Sequence, residues 1–341
     1  AMLDQDSVSI LKKLVKLIIL STVFIEILAT IVIYFTVANK LSVSPAEQIF
    51  FSLFHSISAF CNAGFSILSD SLMGFRDSFS FNIVIMSLIF FGGLGFPVLF
   101  NIRNWLYDRF RKTFRQKATR IQVQSRIILM VSIFLIIFGT VIFYVLEYAN
   151  TLSQMRTENK VLTSLFQSVT TRTAGFNTID IGALKSSTLM FFIFFMFIGA
   201  SPSSTGGGVK VTTIFVLWLT LASVIRGRER VHFHGRTIPD NIIRKAASLV
   251  VLSASLIIIS AILIHVVDRI DMLKVLFETT SAFGTVGLST GITDSLSTFS
   301  KFVLIFLMFF GRIGPLNILQ AFFRQEDKET VKYPDEKIMI G

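Results

Sequence analysis

Along the chain, long apolar runs alternate with shorter ones, and the alternation keeps a fixed order. Residues 14–37 form the first long run, enough for a helix to cross a hydrocarbon core of ~30 Å at about 1.5 Å per residue. Glu26 interrupts it, and a carboxylate at that depth predicts a side chain turned to protein or water. Helix packing and proximity to an ion path both remain open for it. Ser44-Pro45-Ala46-Glu47 reads as a helix start, with Pro at the first helical position and an acid behind it. The helix runs to about Cys61, roughly 16 residues or ~24 Å, too short to span comfortably. It ends in Asn62-Ala63-Gly64-Phe65-Ser66, so a re-entrant loop is predicted. Phe79 to Phe100 is free of charge and reads as a plain span, interrupted by Gly92-Gly93-Leu94-Gly95-Phe96-Pro97.

The same order returns twice. Ile127 to Leu146 is a charge-free run, Glu158 to Arg172 a short helix, and Thr173-Ala174-Gly175-Phe176-Asn177-Thr178 follows. The element after it, Ser186 to Ile225, would give ~60 Å of helix, twice the membrane core. It must break, and Gly199-Ala200-Ser201-Pro202-Ser203-Ser204-Thr205-Gly206-Gly207-Gly208 is poor in helix formers. Non-helical backbone at that depth survives only when shielded by protein or lining water. The third round is Ala246 to Ile264, a short helix from about Asp271 to Phe283, Thr285-Val286-Gly287-Leu288-Ser289, and a last span from Phe302 to Phe323 interrupted by Gly311-Arg312-Ile313-Gly314-Pro315. Six full spans and three re-entrant segments are expected.

Gly64, Gly175 and Gly287 lie 111 and 112 residues apart, so the three rounds are copies of one unit. The units are placed at 1–120, 121–235 with its broken inner helix at 199–210, and 236–341. Composition agrees with an all-α polytopic membrane protein: 52% of residues are hydrophobic, 16% are charged, and mean hydropathy is +0.71. The single Cys61 excludes a disulfide framework, and Glu26, His55, Cys61 and His265 form no spacing that makes a metal or catalytic site. No enzyme activity and no cofactor are expected. His232 and His234 fall in a basic loop, where solvation is the ordinary state.

Charge then orients the chain. Arg103, Arg109, Arg111, Lys112, Arg115, Lys117, Arg120 and Arg126 face only Asp108 in their stretch; Arg226, Arg228, Arg230, Arg236, Arg244 and Lys245 face Glu229 and Asp240. Such runs suit nucleic acid in a soluble protein. Between apolar spans, the positive-inside rule and anionic inner-leaflet lipid account for them, and nucleic acid is not expected. The glycine motifs then open to the outer side.

A short helix pointing its C-terminus into the membrane brings the negative end of its dipole inward. The segment after it offers carbonyls, and glycine permits torsions that turn successive carbonyls to one axis. Rings of such carbonyls replace the hydration shell of a monovalent cation. Phe65, Phe176 and Leu288, after the glycines, are expected to pack behind the strands. Any one such glycine more often serves close helix packing; three copies between a short helix and a span argue for a filter. Arg312 is expected at membrane depth as a barrier to a passing cation, or in an ion pair that holds helices together. Lys210 is read at the inner membrane edge, where its stem would snorkel. Arg172 and Glu278 are candidates to brace the filters by pairing.

Span, short helix, glycine segment and span, repeated along one chain, resembles the Trk/Ktr/HKT potassium transporters, and most of all their bacterial KtrB branch. Asn62-Ala63-Gly64-Phe65, Thr173-Ala174-Gly175-Phe176 and Thr285-Val286-Gly287-Leu288 resemble that family's second, third and fourth filters. Ser201, Pro202, Ser203, Ser204, Thr205, Gly206, Gly207, Gly208 and Lys210 resemble its intramembrane gating loop, and Arg312 the basic residue of its last inner helix. The ending Glu336-Lys337-Ile338-Met339-Ile340-Gly341 fits the same branch.

The resemblance implies units around a pseudo-fourfold pore in a bacterial plasma membrane. It implies potassium as substrate, held by carbonyls near Gly64, Gly175 and Gly287, with sodium as a coupling or activating ion. It also implies a homodimer, anionic lipids, and a cytosolic nucleotide-binding ring of the KtrA type on the basic inner face. That family has four units. A further step of equal length back from Gly64 falls before residue 1, so either the first unit precedes these residues or three units close the ring with another chain. The alternative function is a sodium-coupled secondary transporter of another small solute with a broken-helix site; units repeated in one orientation disfavour it.

Overall fold

The computed structural model of the chain describes residues 2–38, 40, 43–110 and 121–322. Arg111, Lys112, Arg115, Lys117 and Arg120, and the tail from Arg324 with its Glu336–Gly341 ending, lie outside the described residues. A long helix, a short helix, an extended segment and a broken helix follow one another three times. The first set is α1 (Met2–Val37), α2 (Pro45–Phe60), α3 (Phe79–Leu94) and α4 (Phe96–Phe110). The second is α5 (Val123–Glu147), α6 (Thr157–Thr170), α7 (Ser186–Phe197) and α8 (Val211–Ile225). The third is α9 (Asp240–Asp268), α10 (Met272–Gly284), α11 (Thr298–Ile313) and α12 (Pro315–Phe322). A two-residue hairpin, β1 (His232–Phe233) with β2 (Arg236–Thr237), turns the basic loop between α8 and α9.

Local chemistry sets the ends. Ser44 caps α2 in a capping box: its hydroxyl accepts from the Glu47 amide at 3.3 Å, and its own amide donates to Glu47 Oε2 at 2.9 Å. The Ser44 amide, then its hydroxyl, hold the Glu47 carboxyl below the usual carboxylate range. Asp271 caps α10 by accepting from the Lys274 amide, and Ser297 caps α11 by accepting from the Ser300 amide.

The plain span predicted over Phe79 to Phe100 is corrected: α3 and α4 meet at a bend of 102°. Gly95 takes φ 84° there, and a Cβ on it would lie 2.6 Å from the Pro202 carbonyl oxygen. Gly314, with φ 93°, makes the matching break between α11 and α12. All three inner helices are therefore split. Among the described residues, three helices are long and apolar enough to cross alone (Val15–Val37, Val123–Glu147, Asp240–Asp268), and a fourth if α3 and α4 count as one. The predicted six spans thus become three straight and three broken elements.

Each short helix packs on the long helix of its own set, α2 and α10 also on the helix that follows them, and the later two on a helix of the preceding set: α6 on α3, and α10 on α7. The cores follow this staircase. Phe51, Phe60, Phe75 and Phe81 form one buried cluster with Phe166 and Phe176 of the second set. Phe143, Phe192 and Met196 form the next with Phe277, Val286 and Leu288 of the third. The opposite helix faces carry apolar side chains outward, as Phe35 at 73% and Phe134 at 61% exposure illustrate. That is the surface a lipid-embedded bundle presents.

Glu147, fully buried at the end of α5, ties the second set together. Its carboxylate accepts from Asn150 Nδ2 (2.7 Å), the Thr151 hydroxyl (3.0 Å), the Lys185 amide (3.0 Å) and the Thr188 hydroxyl (2.5 Å). Asp268 at the end of α9 accepts from the Ser297 amide at 3.2 Å, the same corner one repeat later. Glu147→Ala strips several buried donors of their acceptor and is expected to destabilise the fold by about 3 kcal/mol. Thermal unfolding of the detergent-solubilised protein measures this, with Glu147→Gln intermediate.

Candidate functional site

The three short helices end at extended segments with one backbone signature. Asn62, Thr173 and Thr285 take φ of 52°, 72° and 51°, and two residues later Gly64, Gly175 and Gly287 take 70°, 85° and 93°. Non-glycine residues rarely adopt positive φ, so its return at equivalent sites in three copies marks a required geometry. The inner end of each segment is tied to its helix: Ala63 N to Ser58 O (2.8 Å), Ala174 N to Thr170 O (3.0 Å), Val286 N to Ser281 O (2.9 Å). Helix hydroxyls hold the next stretch. Ser58 Oγ donates to Phe65 O at 2.8 Å and Thr170 Oγ1 to Phe176 O at 2.6 Å, while the Gly287 amide donates to Ser281 Oγ at 3.2 Å.

These segments touch one another edge to edge. A Cβ on Gly64 would strike the Ala174 carbonyl oxygen and lie 3.0 Å from Gly175 Cα. A Cβ on Gly175 would strike the Val286 carbonyl oxygen and lie 3.2 Å from Gly287 Cα. The Asn62 amide accepts from the Thr173 hydroxyl at 3.2 Å and donates to Ala59 O and Ile89 O at 3.1 and 3.2 Å. Of the residues after the glycines, Phe176 and Leu288 are buried as predicted; Phe65 is corrected, being 70% exposed.

Directly inward lies the break in the second set. Between α7 and α8 the chain from Ile198 to Lys210 leaves the helix and crosses under the segments. The Ser201 and Thr205 amides donate to Gly93 O and Gly92 O at 3.1 and 3.3 Å, and the Gly208 amide to Gly311 O at 3.1 Å. The Gly207 amide donates to the Thr285 hydroxyl at 2.9 Å, and Ser204 Oγ to Ser201 O at 2.6 Å. A Cβ on Gly206 would strike the Thr173 hydroxyl oxygen, and one on Gly207 would lie 2.5 Å from that of Thr285. Pro202 and Ser203 lie against Gly95, where the Phe96 amide meets Ser203 O at 3.4 Å. The glycines are there because only bare backbone fits beneath the two threonines.

Two cations close on this loop. The Arg312 guanidinium donates to the Thr205 carbonyl, so of its two expected states the ion pair is not found: no carboxylate lies within 4 Å of it among the described residues. Lys210 Nζ donates to Gly206 O at 2.8 Å, so its side chain turns back onto the loop that precedes it. Arg172 pairs with no acid among the described residues either. It is buried and reaches back to α5, donating to the carbonyl and hydroxyl of Ser132 at 3.3 and 3.2 Å. Glu26 is half-buried, with Oε1 4.0 Å from Cys61 Sγ. No group of His, Cys, Asp and Glu suited to a metal occurs among the described residues.

Glu278 does brace its segment, but by accepting hydrogen bonds: from the Ser289 hydroxyl, the Thr290 amide (3.1 Å) and the Thr293 hydroxyl (3.2 Å). Sequence reasoning missed that this contact has two counterparts. His55 Nε2 lies 3.0 Å from Ser66 Oγ, and Gln167 Nε2 donates to Thr178 Oγ1 at 3.3 Å. In each set the helix residue and its partner are eleven apart. A buried polar residue with a hydroxyl eleven positions on was the available signal.

With this geometry in view, likeness to known proteins can be stated. The family described as TrkH, cation transport protein, matches residues 1–332. The Ktr system potassium uptake protein B of Bacillus subtilis is 35% identical over 99% of this chain and 74% of its own. Its namesake in Vibrio alginolyticus is 37% identical over 86% of this chain and 63% of its own. The potassium/sodium uptake protein NtpJ of Enterococcus hirae is 34% identical over 87% and 65%. The crystal structure of the potassium transporter TrkH from Vibrio parahaemolyticus superposes with a TM-score of 0.67 at 22% identity, over 88% of this chain and 63% of that one, a likeness of fold. The chain thus spans about two thirds to three quarters of the length of these relatives.

Proposed function

The chain belongs to the TrkH family of cation transport proteins, multi-pass proteins of the cell membrane, and from that premise we propose that it carries potassium through a filter of backbone carbonyls. Residues 62–65, 173–176 and 285–288 are three sides of that filter, contributed by pore units at 1–120, 121–235 and 236–341. The observation that carries this reading is the repeated pair of positive-φ residues, with each strand pressed backbone to backbone on the next. Such strands leave no room for side chains between them, so carbonyl oxygens face the axis and replace water around a dehydrated cation. Potassium, rather than sodium alone, is favoured because two relatives are named for potassium uptake and a third for potassium and sodium.

The loop Ser201–Gly208, with Lys210 and Arg312, is the gate. It lies against Thr173 and Thr285, and two cationic side chains hold its carbonyls. A cation leaving the filter inward meets both the loop backbone and those charges. Sodium acts as a coupling or activating ion. The partners are a second copy of the chain, anionic lipid, and a cytosolic nucleotide-binding ring seated on the basic loops around Arg103–Arg109 and Arg226–Lys245.

Gly287→Ser tests the filter. Here an added Cβ finds Gly175 Cα at 3.6 Å, ordinary contact, so the protein folds while φ 93° strains the strand. The preference for potassium over sodium is expected to fall roughly tenfold, the equivalent of ~1.4 kcal/mol. Unchanged preference in competitive uptake assays would remove the filter assignment.

A further inference from the structure

We propose that His55, Gln167 and Glu278 are positioning residues, one in each pore helix, that set the ion preference of the filter by anchoring the outer end of its strands. This rests on the filter reading above. Each side chain is buried, at 0%, 0% and 6% exposure, in a helix whose other buried neighbours are largely apolar or small. A polar group in such a place is costly unless bonded. Each finds its partner on the strand it precedes, at Ser66, Thr178 and Ser289, always eleven residues on.

With the amide bonds at the inner end, the clamp makes every filter strand a span fixed at both ends. The carbonyls between cannot move without stretching one tie or the other. Beyond the clamp, the anchoring hydroxyls reach the outer loops: Ser66 Oγ donates to Ser71 O at 3.1 Å, and Ser289 Oγ lies 2.9 Å from the Thr293 hydroxyl. The three clamps differ chemically: an imidazole, an amide and a carboxylate. Glu278 has the most partners, each able to donate to an ionised carboxylate, and hydrogen bonds to charged groups are the stronger kind. The third strand is therefore held most firmly, and its release changes ion preference most.

The experiment uses the intact transporter reconstituted in liposomes, with competitive potassium and sodium uptake measured per amount of inserted protein. Ser289→Ala removes one hydroxyl from a half-buried site and is expected to lower the potassium preference roughly tenfold. Glu278→Ala gives at least the same shift, and the double variant no more than the larger single one, because both break one contact. Glu278→Gln keeps an oxygen for Ser289 and recovers most of the preference. Gly287→Ser is run beside them. If it shifts preference while Ser289→Ala and Glu278→Ala do not, the clamp is wrong and the filter stands. If Gly287→Ser shifts nothing, the filter assignment falls and takes the clamp with it. Should Glu278→Ala fail to insert, Ser289→Ala decides alone.

Discussion

Replacing Gly175 by alanine is expected to abolish cation uptake, with a loss of at least about 100-fold. Two costs coincide at this one carbon. Gly175 sits at φ 85°, a region where a Cβ costs about 1–2 kcal/mol. The added methyl also strikes the Val286 carbonyl oxygen and lies 3.2 Å from the carbonyl carbon behind it, and neither is a side chain that can swing away. The neighbouring strand must retreat, and under the proposed filter its carbonyls would no longer be spaced for a cation. Gly64 stands in the same relation to the Ala174 carbonyl and predicts the same outcome. The contrast with Gly287→Ser, which changes preference but keeps transport, is the informative part. Rubidium uptake normalised to membrane-inserted protein measures all three. Transport by Gly175→Ala at the wild-type rate would mean that these strands do not line the path.

The second large effect is expected at the gate. Arg312→Gln weakens the charge-assisted bond to the Thr205 carbonyl and takes a positive charge from the inner side of the filter. Such bonds are worth about 1.5–3 kcal/mol, so the closed loop loses roughly tenfold in population and flux rises accordingly. Deleting Ser201 to Gly208 is expected to raise flux further. It also removes the bonds to Gly92, Gly93 and Gly311 that tie the inner helices together, so the deleted protein is expected to unfold at a lower temperature. Liposome flux separates the two effects. If Arg312→Gln conducts no faster than the parent at equal protein, the loop is a strut and not a gate.

Much of this plan was readable from the residues. The short helices stood out because Pro45, Glu158 and Asp271 start them and glycine motifs end them within too few residues to cross. The break at Ser201–Gly208 stood out because an unbroken element there would overrun the membrane. The bend at Gly95 did not, since Phe79 to Phe100 carries no charge and a glycine in an apolar run is usually tolerated. Its cause is tertiary: the Pro202 and Ser203 carbonyls occupy the space beside Gly95, and they belong to the next unit. The partner of Arg172 was hidden for a similar reason, as Ser132 lies forty residues upstream on another helix. The clamps escaped because His55, Gln167 and Glu278 share a position and a task but no chemistry, and comparing residue identities across copies passes over them.

The staircase packing has a consequence for biogenesis. Since α6 leans on α3 and α10 on α7, each re-entrant helix is walled by an element synthesised before it. A chain leaving the ribosome can therefore seat its polar re-entrant segments one at a time, each into a berth already built, without exposing them to bare lipid. Shuffling the order of the units would deny them that shelter.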